Sequence, residues 1–316
     1  MDFPIFDLHC DTALALLGNN YAQCGSLRRN ELHIDLERAS SLPGYAQCFA
    51  CFTTTADIGS PISPVDCFER ELATVMREVE KNSDKICQAF TASDVEANRE
   101  AGLMSAILTI EGPAGFGFDP ALLEDLYNIG FRITTLGWNE KNPLTGSHVT
   151  GGGLTDLGRE YVKEAQRLGM IVDVSHISDE GFFDILDITD APIIASHSNS
   201  RSVWNSSRNI TDEMFAEICR VGGIVGLNAY TDFLGDQPNL NTMCDHVEHF
   251  LKLDPTGRHI SLGGDLDGCE SLPDGFDGIQ SYPALIESML HRGWDKNTIY
   301  DICWNNAIGV MKQCCI

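Results

Sequence analysis

Short apolar runs alternate along the chain with longer stretches whose apolar residues recur at helical spacing. Each run has the length of a buried strand, and most of the intervals between runs hold an amphipathic helix. The predicted strands are Pro4–Leu8, Ala46–Phe52, Met104–Ile110, Phe131–Leu136, Met170–Ser175, Pro192–Ser196, Gly223–Asn228 and His259–Gly263. The predicted helices include Pro64–Asn82, Leu154–Leu168, Ser178–Leu186 and Tyr282–Arg292, with an extra helix near Asp295–Met311.

This alternation predicts a parallel sheet whose strands are joined by right-handed helical crossovers. Eight strand–helix units in a chain of 316 residues favour a closed (β/α)8 barrel of the TIM type over an open doubly wound sheet. No glycine-rich phosphate-binding pattern follows the first strand, which argues against a nucleotide-binding fold. The sequence also has no low-complexity segment and no linker, so we expect residues 1–316 to form a single barrel domain.

Charge and cysteine content limit the partners and the location that we expect. The chain has 46 acidic and 21 basic residues, a net charge of −25 that repels nucleic acid phosphates and anionic lipids. The first residues do not resemble a secretory signal, so we expect a cytoplasmic protein, without nucleic acid or membrane partners, whose cysteines are reduced. The Cys48-x-x-Cys51 pair lies within a predicted buried strand. We interpret it as core rather than as a redox or metal site.

Side chains of metal-binding or acid–base type follow five of the eight predicted strands. In a (β/α)8 barrel the carboxyl ends of the strands form the active-site face, so these side chains should converge there. They are His9, Asp11, Glu111, His176, His197 and Asp265. Imidazole and carboxylate are typical zinc ligands, and the pattern therefore predicts a metal site at this face.

The first two strand ends offer ligands through their spacing and their burial. His9 and Asp11 are two residues apart, so on an extended segment both side chains point to the same side while Cys10 points away. Glu111 closes an apolar strand, where a carboxylate is costly to bury unless it is paired or binds a metal. Two carboxylate oxygens can also bridge two ions.

The later strand ends add two histidines and a choice between two acids. His176 and His197 each follow a serine, and their separation of 21 residues fits one helix and its loops between adjacent strands. Two histidines in register favour ligands over structural residues. Asp265 and Asp267 share a glycine-rich loop, and a carboxylate beside metal ions can accept a proton from metal-bound water. We favour Asp265 because it lies nearer to the strand, and Asp267 is the alternative.

The order of these motifs along the chain carries further information. The motifs are His9-x-Asp11, Glu111-Gly112, Ser175-His176, Ser196-His197, Ser207–Asp212, Gly263–Gly268, Tyr282–Ile286, Gly293-Trp294 and Trp304–Ala307. In this order and over nearly the whole chain, they resemble the membrane dipeptidase (renal dipeptidase) family of zinc metallopeptidases, peptidase family M19. The resemblance implies a barrel of the metallo-dependent hydrolase type.

The resemblance also implies a binuclear site with two divalent ions, zinc by expectation. One ion would be held by His9, Asp11 and Glu111, and the other by Glu111, His176 and His197. Glu111 would bridge the two ions together with a hydroxide that attacks the substrate. Ligand types and number agree with what two zinc ions need.

The activity implied by the resemblance is hydrolysis of the amide bond in small dipeptides with a free C-terminal carboxylate. Asp265 would be the acid–base residue, and Arg208 and Tyr230 would bind the carboxylate, for which a guanidinium fork is well suited. D-configured C-terminal residues would be tolerated. Members of the family are often dimers, so a homodimer is a possible assembly.

One residue departs from the family pattern. Our alignment places Trp138 where many members have a histidine that hydrogen-bonds the substrate, and an indole donates one N–H but carries no proton. A hydrolase for another small amide or ester is therefore the alternative function. A non-catalytic metal-binding protein is a third reading, but no expected ligand is missing. We interpret the nearby His148 as a solvated loop residue, although it could replace the missing histidine, and His246 and His249 as structural or surface residues.

Overall fold

The computed structural model describes residues 2–18, 21, 25–56 and 58–315. Within these residues the strands are β1 (Ile5–Cys10), β2 (Tyr45–Phe52), β3 (Ile86–Gln88), β4 (Met104–Glu111), β5 (Phe131–Thr135), β6 (Ile171–Asp173), β7 (Ile193–Ala195), β8 (Ile224–Leu227) and β9 (Ile260–Leu262). The helices are α1 (Thr12–Leu17), α2 (Leu36–Ala39), α3 (Pro64–Lys81), α4 (Ala92–Glu100), α5 (Leu123–Ile129), α6 (Asp156–Leu168), α7 (Asp179–Leu186), α8 (Asp212–Arg220), α9 (Leu240–Leu253), α10 (Tyr282–His291), α11 (Lys296–Tyr300) and α12 (Asn306–Cys314).

Eight of the strands form the closed parallel barrel that the sequence predicts. Their order is β2-β1-β9-β8-β7-β6-β5-β4, and the barrel closes where β2 pairs with β4 over the lengths of both strands. The prediction of a (β/α)8 barrel is thereby confirmed. The short strand β3 was not predicted, and it pairs only with Met104–Ala106 at the start of β4. Only the first of its three residues, Ile86, is buried, so this segment lacks the apolar run from which the other strands were predicted.

The barrel interior is filled by alternate residues of its strands. Phe6 and Leu8 of β1 belong to the same buried cluster as Ile107, Ile171 and their counterparts on the other strands. Residues of α12 join this cluster, so the C-terminal helix packs against the end of the barrel opposite the candidate site. A larger cluster lies between the strands and the surrounding helices.

The C-terminal helix differs from its prediction. The sequence predicts one helix near Asp295–Met311, whereas the structure has α11, a π-helical turn at Asp301–Asn305, and α12. After this turn, the side-chain amide of Asn306 donates to the carbonyls of Gly257 and Ile260, at 2.8 and 2.7 Å. These bonds hold the helix against the amino end of β9.

An irregularity in β1 orients the first candidate ligands. The pairing of β1 with β2 shifts by one residue between Asp7 and Cys10, which is the signature of a β-bulge. Such bulges redirect side chains at the ends of strands. Cys10 belongs to the outer cluster while His9 and Asp11 face the centre of the barrel, as the period-two spacing predicts.

Candidate metal centre and substrate cleft

The predicted strand-end residues converge at the carboxyl end of the barrel. They are His9 on β1 and Asp11 directly after it, Glu111 on β4, and His176, His197 and Asp265 just after β6, β7 and β9. All are more than nine-tenths buried. Two overlapping groups have potential ligand atoms within 4.8 Å of one another; they are His9, Glu111 and His197, and His9, Asp11 and Asp265.

Glu111 lies at the centre of this cluster and faces both sides of it. Its Oε2 is 3.2 Å from Nε2 of His9. Its Oε1 is 3.1 Å from Nε2 of His176 and 3.8 Å from Nε2 of His197. One oxygen of this carboxylate thus faces His9 and the other faces His176 and His197, as a bridging ligand requires.

The two later histidines are arranged as neutral metal ligands. Nδ1 of His176 donates to the Asn139 side-chain carbonyl at 2.9 Å. Nδ1 of His197 donates at 2.6 Å to the Ser196 hydroxyl, which in turn donates to Asp173. With both protons on Nδ1, the Nε2 lone pairs face each other at 3.0 Å, an arrangement that repels unless a cation binds there.

The first histidine also lacks a protein partner for its inner nitrogen. Nε2 of His9 is fully buried and makes no hydrogen bond to any residue that the structure describes. It lies 3.2 to 3.9 Å from oxygens of Glu111, Asp11 and Asp265. Buried polar atoms are rarely left unpaired, so this atom and its ring of oxygens fit a divalent cation.

Burial and neighbouring charges set the protonation of the cluster. Burial raises the pKa of Glu111 to about 7, although His9 opposes the shift. Burial lowers the pKa values of His176 and His197 well below the ordinary range, and the positive charge of Arg208 adds to both shifts. Burial also disfavours the charged form of His9, but Glu111 and a second carboxylate outweigh it and raise that pKa.

Two buried aspartates hold the strand ends that carry these ligands. Asp7 accepts the N–H groups of His9 and Gly264, each at 3.0 Å, and so ties β1 to the segment after β9. Asp173 accepts two serine N–H groups at 2.9 Å, one after β6 and one after β7. Our sequence reasoning missed both residues. The sequence did contain a signal, since Asp7 stands two residues before His9 and Asp173 two residues before Ser175.

The segment after β9 separates the two candidate acids. Asp265 accepts a hydrogen bond from the Asn228 amide at 3.0 Å and lines the cleft with its carboxylate 3.9 Å from Nε2 of His9. Both oxygens of Asp267 are already bonded, at 2.6 Å each, to the Thr12 hydroxyl and the His33 N–H. Asp265 is therefore the acid with an oxygen left for chemistry.

This segment also packs tightly against the first ligands. Asp265 and Asp267 adopt positive φ angles of 55° and 67°, which is uncommon for side-chain-bearing residues. Gly268 lies so close to Asp11 that an added Cβ would be 2.0 Å from the Asp11 carboxylate. Backbone strain and close approach of this kind are typical of functional sites.

Arg208 places a buried guanidinium beside the cluster. The side chain is 3% exposed, and its Nη1 donates to the Ser198 hydroxyl at 2.7 Å. Its Nε and Nη2 have no hydrogen-bond partner in the part of the chain that the structure describes. The guanidinium lies 5.7 Å from the centre of the Phe233 ring, and Phe233 lines the cleft. A buried cation with unpaired donors has the chemistry needed to bind an anion.

The cleft over the cluster has a volume of about 360 Å³ and is lined by apolar, acidic and aromatic residues. Trp138 lies on one wall, edge-on to Phe52 with ring centres 5.3 Å apart. Tyr230 lies at another wall, edge-on to Phe233 at 4.9 Å, and burial together with Glu270 raises the pKa of its hydroxyl. Trp138, Tyr230 and Asp265 thus share one cavity with the candidate ligands.

His148 lies closer to the site than our interpretation of a solvated loop residue suggests. It is half-buried, its Nε2 donates to Asn139 at 2.8 Å, and its Nδ1 accepts from the Ser207 hydroxyl at 3.0 Å. Because Asn139 also accepts from His176, the chain of bonds connects the loop of Arg208 to a candidate ligand. Sequence reasoning missed Asn139, for which no pattern gave a signal.

The other histidines singled out in the sequence lie away from the cluster. His246 is buried, with its ring bonded to the Ser200 N–H at 3.1 Å and the Leu234 carbonyl at 2.9 Å. His249 bonds to Asp212 at 2.8 Å. Both have structural partners, as interpreted. Among the described residues, no helix combines the length and the apolar character needed to cross a membrane.

Comparison with known proteins connects this site to one family. The profile of the membrane dipeptidase family, peptidase family M19, matches residues 1–315. An uncharacterized dipeptidase of Schizosaccharomyces pombe is 33% identical over 216 residues, which are 66% of this chain and 53% of that protein. An uncharacterized protein from the pqqA 5′ region of Klebsiella pneumoniae is 30% identical over 80% of this chain and 98% of its own length.

A solved structure agrees with this match. A metallopeptidase from Rhodobacter sphaeroides, bound to a phosphinate mimic of the dipeptide L-Ala-D-Ala, is 25% identical with a TM-score of 0.90. The match covers 99% of this chain and 100% of that chain. The chain spans about half the length of the yeast relative but nearly all of the two bacterial ones. On the match of the family profile over residues 1–315, this chain belongs to the membrane dipeptidase family, peptidase family M19.

Proposed function

We propose that the protein is a metal-dependent dipeptidase that hydrolyses the amide bond of dipeptides with a free C-terminal carboxylate. The observation that carries this proposal is the buried guanidinium of Arg208, which keeps unpaired donors beside a cluster of metal-type ligands. A fixed cation at a fixed distance from the reacting centre selects a substrate with an anion near the scissile bond. The C-terminal carboxylate of a dipeptide has that position.

The candidate ligands fit two divalent ions, for which we propose zinc. His9, Asp11 and Glu111 would hold one ion, and Glu111, His176 and His197 the other. When bound, the ions would lower the pKa of water to supply the nucleophile and would polarise the scissile carbonyl. Neutral imidazoles suit this role, and the lowered pKa values of His176 and His197 keep these rings neutral.

Asp265 would move the proton that amide hydrolysis requires. One carboxylate oxygen accepts the amide of Asn228, which fixes the orientation of the group. The other oxygen is left to take the proton of the attacking water and to give it to the leaving amine nitrogen. Transfer to nitrogen is needed because an amine anion is a poor leaving group.

The walls of the cleft would position the rest of the substrate. Phe233 lines the cavity with the Arg208 guanidinium over its ring, and Tyr230 packs edge-on against Phe233, so the substrate carboxylate would bind at this wall. Phe52 and Trp138 form an apolar wall for side chains. The likeness to the Rhodobacter metallopeptidase with its L-Ala-D-Ala mimic supports dipeptides as the substrate class and tolerance of a D-residue at the C-terminus.

A second candidate function is hydrolysis of another small amide or ester by the same centre. The observation that favours it is Trp138, whose indole narrows the cleft and supplies a single N–H where many relatives have a histidine. Substrate contacts to the reacting carbonyl would then differ from those in other members, while the metal chemistry stays the same.

One set of assays separates the two candidates. Zinc-loaded protein is tested on L,L- and L,D-dipeptides and on the same dipeptides with amidated C-termini. We expect free dipeptides to be cleaved about 10²-fold or more efficiently than their amides, because only the free form has the anion that Arg208 would bind. Equal rates on both forms would remove the dipeptidase proposal and leave the broader hydrolase. No hydrolysis of any small amide or ester by zinc-, cobalt- or manganese-loaded protein would overturn both.

A further inference from the structure

A second group of metal-type side chains lies at the opposite end of the barrel. Cys219 is in the last turn of α8, Asp254 follows the end of α9, and His259 directly precedes β9. One potential ligand atom from each lies within 4.8 Å of the others. All three side chains are half-buried, so an ion and a water molecule can reach them.

Two of these side chains are already held by neighbouring groups. Nδ1 of His259 donates to the carbonyl of Gly223 at 2.7 Å, which leaves Nε2 with the free lone pair. Asp254 accepts from the N–H and the hydroxyl of Thr256, at 3.1 and 2.7 Å. Bonds of this kind select the tautomer and limit the rotation of metal ligands, and they reduce the entropy lost when an ion binds.

The composition of the group determines which ion it suits. A thiolate, an imidazole and a carboxylate together match zinc and similar borderline ions, whereas magnesium and calcium prefer oxygen ligands alone. Ligand atoms around zinc are roughly 3.5 Å apart in tetrahedral geometry. Because the candidate ligand atoms already lie within 4.8 Å of one another, movements of about 1 Å bring them to this separation.

We propose that Cys219, Asp254 and His259 form a separate site for one zinc-like ion, with water as the fourth ligand. Binding releases the thiol proton of Cys219 to solvent and forms a metal–thiolate bond. The ion joins the ends of α8 and α9 to the start of β9, three segments that meet at the amino end of the barrel. It therefore stabilises the barrel at the end remote from the candidate active site.

Cobalt distinguishes this site from the active-site cluster because only a thiolate ligand gives a sulfur-to-cobalt charge-transfer band. The candidate active-site ligands are imidazoles and carboxylates. The protein is titrated with Co²⁺ while the near-ultraviolet band and the bound metal are measured. The matched control is Cys269→Ser, since Sγ of Cys269 donates at 3.2 Å to the backbone carbonyl of Asp265 and so lies beside the candidate active site. We expect the band in the wild type and in Cys269→Ser.

Cys219→Ser should lose the band and one equivalent of bound cobalt, while its dipeptide hydrolysis stays within about twofold of the wild type. His259→Gln keeps the thiol and should weaken the affinity for the cobalt ion that gives the band by about 10-fold or more, since loss of even an outer partner of a metal ligand typically costs about 10–100-fold. Full band intensity in Cys219→Ser, or no band in the wild type with excess Co²⁺, would overturn the proposal. Neither result bears on the dipeptidase assays, so the two proposals fail separately.

Discussion

The two sides of the candidate metal centre share one carboxylate but differ in charge. The acidic side contains His9, Asp11 and Asp265, and the imidazole side contains His176 and His197. Surrounding carboxylates raise the pKa of His9, whereas burial and a nearby guanidinium lower the pKa values of the other two histidines. The same residue type is therefore pushed toward opposite protonation states within one cluster.

This difference divides the chemistry between the two sides. A carboxylate with a free oxygen lies on the acidic side, where it can take and return a proton. On the imidazole side, burial keeps the rings neutral and the charge of Arg208 adds to this effect, while Nε and Nη2 of Arg208 have no partner among the described residues. Substitutions on the acidic side should therefore change turnover, and substitutions around the imidazole side should change binding of substrate or metal.

The largest effect is expected from Asp265→Asn on the acidic side. The amide keeps the size of the side chain and can still accept from Asn228, but it takes no proton from water. We expect kcat to fall by about 10²–10⁴-fold while the metal content and KM stay near the wild-type values. Steady-state kinetics with metal analysis of the same preparations measure this.

The matched control is Asp267→Asn in the same loop. Its carboxylate is bonded to Thr12 and His33, so the variant should lose thermal stability and keep most of its turnover. If Asp265→Asn were active and Asp267→Asn were folded but inactive, proton transfer would be assigned to Asp267, and the proposed roles of the two acids would be wrong.

A somewhat smaller effect is expected from Arg208→Ala. Loss of the guanidinium should lower kcat/KM for free dipeptides by about 10²-fold, roughly 3 kcal/mol, mainly through KM. Arg208→Lys should recover only part of this, because an ammonium lacks the planar pair of donors. Amidated dipeptides should be affected little by either change. Equal losses on free and amidated substrates would mean that Arg208 acts on the metal side chains and not on the substrate.

The fold followed from the sequence because each strand gives a local signal. Buried strands of five to eight residues, such as β2 and β4, are apolar throughout and stand out against the amphipathic helices. The convergence of the candidate ligands followed for the same reason, since they come at or just after the ends of such strands. The strand β3 was missed because only Ile86 of its three residues is buried, whereas the equally short β6, β7 and β9 are buried throughout. The π turn before α12 was missed because helical spacing continues through it.

The rest of the site depends on contacts that no local pattern reports. Asn139 and Asn228 are ordinary polar residues in the sequence, and only the folded chain brings them to His176 and Asp265. His148 was interpreted as solvated because a glycine-rich loop predicts exposure, whereas bonds to distant residues bury half of it. The choice between Asp265 and Asp267 rested on position alone, and their different partners now support it.

A third prediction sharpens the comparison through the aspartates that hold each side. In Asp173→Asn, the amide oxygen accepts the two serine N–H groups, and the amide nitrogen that faces the Ser196 hydroxyl can only donate. The hydroxyl proton therefore turns toward His197, which is no longer held with its own proton on Nδ1. We expect one of two ions to bind about 10–100-fold more weakly while the other keeps its affinity. Competition with a chelator measures both affinities.

The matched control is Asp7→Asn on the acidic side. It should not change the affinity of the ion that Asp173→Asn weakens. Equal weakening of both ions in both variants would mean that the two sides are not independent.

The smallest expected effect is a pH-dependent difference in stability between the wild type and His148→Gln, measured on metal-free protein. Burial, with Arg208 and Arg201, lowers the pKa of His148 from 6.5 to about 4. Because the pKa of His148 is lower in the folded protein than in the unfolded chain, the unfolded chain takes up the proton first as the pH falls. The contribution of the neutral His148 to the free energy of unfolding is therefore complete above pH 6.5 and is lost as the pH falls toward 4. The glutamine variant loses bonds to Asn139 and Ser207 and should be less stable at pH 7.5, by about 1 kcal/mol. Because glutamine does not titrate, this gap should shrink as the pH falls below 6.5 and change sign before pH 4, since a pKa lowered to about 4 costs the wild type more than the two bonds contribute. Urea unfolding at several pH values tests the prediction, with His291→Gln on the outer face of α10 as the control. A gap that stays constant over this range would show that His148 is not held neutral beside the imidazole side.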